Sequence, residues 1–327
     1  MILITGGAGF IGSNVAAHLA NQGEAVAICD RFGNGGKWRN VSKLNLADII
    51  EPEETLGWIE QHKKVLTAIV HMGAISSTTE TDVDLILREN YRASRNLWEA
   101  SVAANLPFIY ASSAATYGDG AVGFDDDNAL EALARSKPLN PYGWSKLLFD
   151  QFVANQCRQK QRTPPQFAGL RFFNVYGPNE YHKGSMKSVA AHMYPQASAG
   201  APVTLFRSHN PAYPDGRQKR DFIYVRDCCE VISWLIRSPK VSGLFNVGTG
   251  QARTFLDLAN ALFAALNRKA KVNFIDTPED IRDKYQYFTQ ANMSRLRAAG
   301  YSKPFTSLED GVAAYVHDHL ATPDPYR

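Results

Sequence analysis

Cysteine is scarce in this 327-residue chain: Cys29, Cys157, Cys228 and Cys229 are the four present, and no two stand in a C-x-x-C arrangement. So few, irregularly spaced thiols exclude a disulfide framework and offer no zinc or dithiol redox site. They read as reduced, core-type side chains, and no metal is expected. Long hydrophobic runs are also missing. No apolar stretch approaches the roughly 18 residues of a membrane span, and Met1-Ile-Leu-Ile-Thr5 leads straight into glycines without the basic stretch and apolar segment of a secretory signal. The expectation is a cytoplasmic protein with no membrane partner. Charge of one sign is lacking too. The 35 Lys plus Arg against 32 Asp plus Glu leave a formal net charge of +3, far from the basic excess of a dedicated nucleic-acid binder. A small ligand carrying phosphate remains compatible with that balance.

What is present is globular material: 45% hydrophobic and 20% charged residues, enough for a sizeable core and long enough for two domains or one large α/β domain with an insertion. In the first half, short apolar runs alternate with segments of helical periodicity, the pattern of βαβ units around a parallel sheet. Residues 2–5, 25–30, 68–71, 108–112 and 168–173 read as strands, and 11–21, 86–104 and 142–157 as helices. Beyond Asn174, loops rich in Gly, Pro and Asn dominate, notably 176–185 and 208–218. A strand at 222–225, a helix around 231–236 and a strand at 244–247 are expected to rejoin the first sheet. The expected fold is therefore a Rossmann-type, doubly wound α/β parallel sheet with a smaller α/β substrate domain. Its boundary is discontinuous: 1–173 plus about 221–250 would bind a dinucleotide, and about 174–220 plus 251–327 a substrate.

Thr5-Gly6-Gly7-Ala8-Gly9-Phe10-Ile11-Gly12 follows a strand and opens a helix, the setting that makes a glycine pattern a dinucleotide fingerprint rather than a bare turn. Gly6 permits the tight turn, Gly9 lets the backbone approach a pyrophosphate, and Gly12 allows close packing of helix on strand. The helix start at Phe10 and Ile11 offers free N–H groups to the anion. Asp30, ending the second strand, is placed to accept from an adenosine ribose and so favours NAD. Arg31 and Lys37 next to it could instead neutralise a 2′-phosphate, although Lys37 reads equally well as a solvated loop lysine. NAD and NADP both stay open on these residues.

Tyr142-Gly-Trp-Ser-Lys146 sets a tyrosine and a lysine at i and i+4 on one helical face. A phenol near pKa 10 is a poor base at neutral pH, and an adjacent ammonium favours the phenolate. Alone, this spacing is no more than a chance surface pair. It coincides, however, with Ser113 at the end of the fourth strand, where ligand-facing residues gather in open parallel sheets. Fingerprint, strand-end serine and Tyr-x-x-x-Lys in this order resemble the extended short-chain dehydrogenase/reductase family of nucleotide-sugar enzymes, over nearly the whole chain from Met1 to beyond Tyr301. The resemblance implies a catalytic triad of Ser113, Tyr142 and Lys146. It also implies a cofactor lined by His71, Met72, Gly73, Ala74, Ile75, Ser76 and Val175. Asn90 supports that site, or is a helix-capping or purely structural asparagine.

Within the family, 4,6-dehydratases carry an Asp-Glu pair after the strand-end hydroxyl residue. Here Ala114 and Ala115 stand there, so elimination lacks its acid and base and redox chemistry without water loss is favoured. The segments from Phe172 to His192, Lys219-Arg220-Asp-Phe, Tyr285-Gln-Tyr-Phe-Thr-Gln and Ala298 to Phe305 closely resemble the ADP-glyceromanno-heptose 6-epimerases of lipopolysaccharide core assembly. That resemblance implies NADP, an ADP-heptose substrate, and inversion at C6 by hydride removal, a transient 6-ketone and hydride return to the opposite face. It assigns one acid/base group per orientation to Tyr142 and Lys183. It also brings Asn174, Ser185, His192, Phe206, Arg207, Ser208, Arg220 and Tyr285 to the substrate, and it implies a homo-oligomer, a pentamer in that family. The stretch 210–216 looks like an insertion, and Arg31 replaces an Asn. The alternatives are a UDP-hexose 4-epimerase and, from another class, a catalytically silent NADP-sensing regulator. Retention of Ser113, Tyr142 and Lys146 speaks against the regulator.

Overall fold

The computed structural model describes residues 1–282 and 286–327. Twelve strands follow one another among them: β1 (Ile2–Thr5), β2 (Val26–Cys29), β3 (Asp48–Ile50), β4 (Ala68–His71), β5 (Phe108–Ser113), β6 (Phe167–Phe172), β7 (Asn174–Tyr176), β8 (Val203–Phe206), β9 (Lys219–Tyr224), β10 (Gly243–Val247), β11 (Ala252–Thr254) and β12 (Val272–Ile275). Seven form one sheet in the order β10-β6-β5-β4-β1-β2-β3, parallel at every step.

Side-chain alternation builds two layers of core on this sheet. Ile2 and Ile4 face one layer with Val15, Leu19, Ile232 and Leu235. Leu3 faces the other with Ile69, Trp98, Phe108 and Phe149. The helices Phe10–Ala20 and Val225–Ile236 cover the first face, and Ala93–Ala104 and Pro141–Arg158 the second. This is the doubly wound sheet read from the sequence. β3 and the Thr55–His62 helix are additions that the sequence pattern does not announce, because charge interrupts their short apolar signal.

The strand expected at 222–225 does not rejoin that sheet. β9 pairs in parallel with β7 and antiparallel with β11 in a separate three-stranded sheet, and β10 alone returns beside β6. Chemistry explains the difference. β9 opens on Lys219, Arg220 and Asp221, which an apolar parallel interior would not accept, whereas all five residues of β10 are buried. A second core gathers Met193, Leu205, Phe222, Leu262 and Val312 around the helices Val189–Ser198, Phe255–Ala265 and Leu308–Tyr315. Cys29, Cys228 and Cys229 are buried free thiols, but Cys157 is exposed, because it lies in the last turn of the Pro141–Arg158 helix. No helix among the described residues is long and apolar enough to cross a membrane.

Candidate active site

The sequence at the end of β1 dictates its own geometry. Gly6 takes φ +66°, and a Cβ there would collide with the Gly73 backbone; a Cβ on Gly12 would collide with the Gly6 carbonyl. Gly9 opens the Phe10–Ala20 helix without any side-chain cap, so the first-turn N–H groups are left for an anion. Asp30 Oδ2 accepts from the Ala8 amide at 2.8 Å, and the Lys37 ammonium pairs with Oδ1 while donating to the Arg31 carbonyl at 2.9 Å. Glycine cradle, uncapped helix and ribose acceptor together fit a dinucleotide. Two clefts of about 910 Å³ and 610 Å³ meet here, both bordered by Gly6, Asp30, Gly73 and Ala74.

The larger cleft brings Ser113, Tyr142 and Lys146 together. Ser113 ends β5, its Oγ accepting from the Ala115 amide at 3.1 Å. Tyr142 and Lys146 sit on the Pro141–Arg158 helix, which begins with proline in its first turn and an Asn140 cap, 2.8 Å from the Gly143 amide. Burial pushes the Tyr142 phenol above its ordinary value, opposed by a hydrogen bond from Ser113. Burial, rather than the neighbouring ammonium, is therefore the larger influence on the phenol. Burial also pulls the Lys146 ammonium down to about 8, against the raising effect of Asp150 one turn on. Asp150 in turn accepts from Arg171 Nε and Nη2 at 3.1 and 3.0 Å, Ser112 at 2.9 Å and Tyr110 at 3.2 Å.

Asn90 proves to be a brace. It lies in a π turn, Leu87–Arg92, a local widening frequent at functional sites. Its Oδ1 accepts from the Ile75 amide at 2.8 Å, and its Nδ2 donates to the Ile75 carbonyl and to Ser145 Oγ, each at 3.0 Å. The cofactor-side loop and the catalytic helix are thereby held to one side chain.

Lys183 rides on the short turn Tyr181–Met186. It borders the same cleft as Tyr142, its ammonium 5.4 Å above the Phe10 ring, and burial lowers its pKa against the pull of Glu180. Glu180 anchors the turn, accepting from the Gly177 amide at 3.3 Å, Ser188 Oγ at 2.7 Å and Tyr315 OH at 3.0 Å. His192 fixes the other end through the Ser185 carbonyl at 3.1 Å.

Phe10, Ile11, Met72, Ser76, Asn174 and Val175 line the larger cleft, as do Ser185, His192, Phe206 and Arg220. Ile75 and Arg31 border the smaller one. Arg31 is engaged by Glu53 and Glu89. Arg207 and Ser208 are not brought in: Arg207 faces Asp215 and Asp276 at the surface, 3.9 and 3.4 Å away, and the Ser208 amide donates to Asp215 at 2.8 Å. Asp215 on the loop beyond β8 holds both residues outward, and Asp276 just after β12 adds to the hold on Arg207. Tyr285 lies outside the described residues. Gln218, Lys187 and Thr204 border the cleft without a signal in the sequence beyond their nearness to the Arg220 and Ser185 segments.

Residues 2–248 match the NAD dependent epimerase/dehydratase family. The chain belongs to that family. It is an enzyme of the epimerase type. Over 330 aligned residues, covering all of both chains, it is 47% identical to the ADP-L-glycero-D-manno-heptose-6-epimerase of Nitratidesulfovibrio vulgaris strain DP4. It is 42% identical, again end to end, to the protein of that name from Fusobacterium nucleatum. Among solved structures, the Helicobacter pylori ADP-L-glycero-D-manno-heptose-6-epimerase superposes with a TM-score of 0.78 at 30% identity, covering 96% of this chain and 94% of that one. The Thermus thermophilus UDP-glucose 4-epimerase complex with NAD gives 0.76 at 25% identity, covering 98% and 99%. In this epimerase/dehydratase chain the glycine-rich turn follows β1 at the C-terminal end of the parallel strands.

Proposed function

We propose that this epimerase inverts C6 of the heptose in ADP-D-glycero-D-manno-heptose to give ADP-L-glycero-D-manno-heptose, a step of lipopolysaccharide core synthesis in the cytoplasm, with NADP as its resident cofactor. The observation that carries the reading is that two proton-transfer groups, Tyr142 and Lys183, border one cleft in a chain that aligns end to end with proteins named for that activity.

The cofactor would be held by Gly6, Gly9 and Gly12 at the helix start, by Asp30 and Lys37 at the adenosine ribose, and by Lys146 at the nicotinamide ribose. Lys37 beside Asp30 supports NADP, because the cation offsets the carboxylate that would repel a 2′-phosphate. When bound, a nicotinamide supplies a reversible hydride acceptor, which inversion at an unactivated carbinol carbon requires. The chain's own residues manage the protons. With the C6 hydroxyl near Ser113, Tyr142 accepts its proton as the carbonyl forms; Ser113 fixes that oxygen and the Lys146 ammonium stabilises the phenolate. C6 is exocyclic, so rotation about its bond to the ring presents the other face and carries the oxygen across the cleft. There Lys183, made more acidic by burial, returns a proton. Asn174, Ser185 and His192 hold the sugar, and the fork of Arg220 grips the diphosphate.

In this reading residues 1–173 and about 221–250 mainly serve the dinucleotide and about 174–220 and 251–327 the substrate, with Phe222 on β9 reaching the substrate side. The protein works as a homo-oligomer in this reading. The test is a pair of incubations of cofactor-loaded enzyme, with ADP-D-glycero-D-manno-heptose and with UDP-glucose, each followed by NMR. Conversion of the heptose alone is expected; conversion of UDP-glucose alone would replace this reading with a hexose 4-epimerase.

A further inference from the structure

We propose that Gln218 selects the nucleobase of the substrate, its side-chain carbonyl oxygen accepting a hydrogen bond from the exocyclic amine of adenine. The inference rests on the ADP-sugar reading and names what distinguishes that base from others.

The placement follows from strand alternation. Gln218, Arg220 and Phe222 all border the larger cleft, whereas Lys219 between the first two is exposed; Arg220 and Phe222 lie on β9, and Gln218, the residue just before it, continues their period-two alternation. The register gives the direction. Phe222 pairs with Asn174, and Asn174 follows Phe172, the partner of Ser113, so the Phe222 end lies toward the reacting centre. Each pair of residues advances about 7 Å along a strand. A nucleotide-sugar laid beside β9 therefore meets Phe222 and Asn174 with its sugar, Arg220 with its diphosphate and Gln218 with its base. Leu205, Phe206, Phe255 and Leu258 border the cleft as well and suit a flat ring.

The polarity at Gln218 is set by its neighbour. Nε2 donates to the Phe206 carbonyl at 3.3 Å; the reverse orientation would set two acceptors against each other. Among the described residues Oε1 is then left without a hydrogen-bond partner, in a side chain that is 1% exposed. A buried acceptor left unpaired is unfavourable and discriminates strongly by what it is offered. Adenine presents an N–H donor at its six position. Hypoxanthine presents a carbonyl there, and uracil one at its four position, and either would oppose Oε1.

Isothermal titration of the full-length enzyme, loaded with its nicotinamide dinucleotide so that the adenosine site at Asp30 is filled, decides the matter with ADP, IDP and UDP. ADP is expected to bind at least about tenfold more tightly than IDP, and Gln218→Met to bring that ratio close to one. Equal affinity for ADP and IDP in the unaltered enzyme overturns the proposal without recourse to a variant, and so does an unchanged ratio in Gln218→Met. Tight binding of UDP in place of ADP overturns the ADP-sugar reading itself, and the assignment of Gln218 with it.

Discussion

Asn90 Nδ2 donates to the Ser145 hydroxyl at 3.0 Å across 55 positions of sequence, and Ser145 passes the contact to the Tyr142 carbonyl at 2.7 Å. The same asparagine pairs both backbone groups of Ile75. One side chain thus sets the distance between the loop that follows β4 and the helix that carries Tyr142 and Lys146. Asn90→Ala leaves buried partners unpaired at about 1–3 kcal/mol each. It is expected to lower the melting temperature, the bound nicotinamide content and kcat together, kcat by about tenfold or more. Normal cofactor content and kcat in a folded Asn90→Ala protein would show that the brace has no part in the site.

Tyr142→Phe and Lys183→Met each remove one proton-transfer partner. Each is expected to reduce kcat by about 10²–10⁴-fold with little loss of bound nicotinamide, measured by NMR of the C6 epimers and by absorbance of the released nucleotide. Wild-type turnover in Lys183→Met would leave Tyr142 as the sole base and end the two-group account.

Lys146 is fully buried, and burial brings its pKa down to about 8 while Asp150 opposes the change. The ammonium is present below that pH and lost above it. The alkaline limb of kcat is therefore expected to fall as pH rises through about 8, and Lys146→Arg, which stays charged, to move whatever activity survives to higher pH. A kcat profile that stays flat to pH 10 would remove the ammonium from the mechanism.

His71 makes a prediction about stability. It bridges Thr5 Oγ1 at 2.6 Å and Ser94 Oγ at 2.8 Å, and burial, with Lys146 adding to it, holds its pKa down to about 3 against 6.5 in the unfolded chain. The folded state refuses a proton that the unfolded state takes, so this stability is complete above pH 6.5 and is lost as pH falls toward 3. The expected slope is about 1.4 kcal/mol per pH unit from this group. Denaturant titrations of the wild type and His71→Gln check it; parallel pH dependence in the two would refute the assignment.

Much of this was legible in the order of residues alone, and for physical reasons. Gly6 and Gly12 announce themselves because no other residue tolerates their close approaches, and Tyr142 and Lys146 because helical periodicity turns a spacing of four into a shared face. Asn90 was legible only as one of several readings, and Gln218 was opaque. The first acts through a π turn that shifts its phase on the helix, and the second sits just before β9, a strand that charge at Lys219 to Asp221 disguised. Arg207 misled in the opposite way: the family resemblance brought it to the substrate, but Asp215 and Asp276 claim it.

Lys37 tests the cofactor reading. Because it offsets Asp30, Lys37→Met is expected to weaken NADP by about tenfold or more while leaving NAD nearly unaffected, as read by titration of cofactor-stripped protein. Equal losses for both would separate Lys37 from the 2′-phosphate.

The most direct test of the central claim is the incubation of cofactor-loaded enzyme with ADP-D-glycero-D-manno-heptose in D₂O, followed by NMR at C6. Hydride removal and internal return predict the L-glycero epimer with protium retained at C6. Deuterium at that carbon, or no inversion at all by correctly folded, loaded enzyme, would contradict the account.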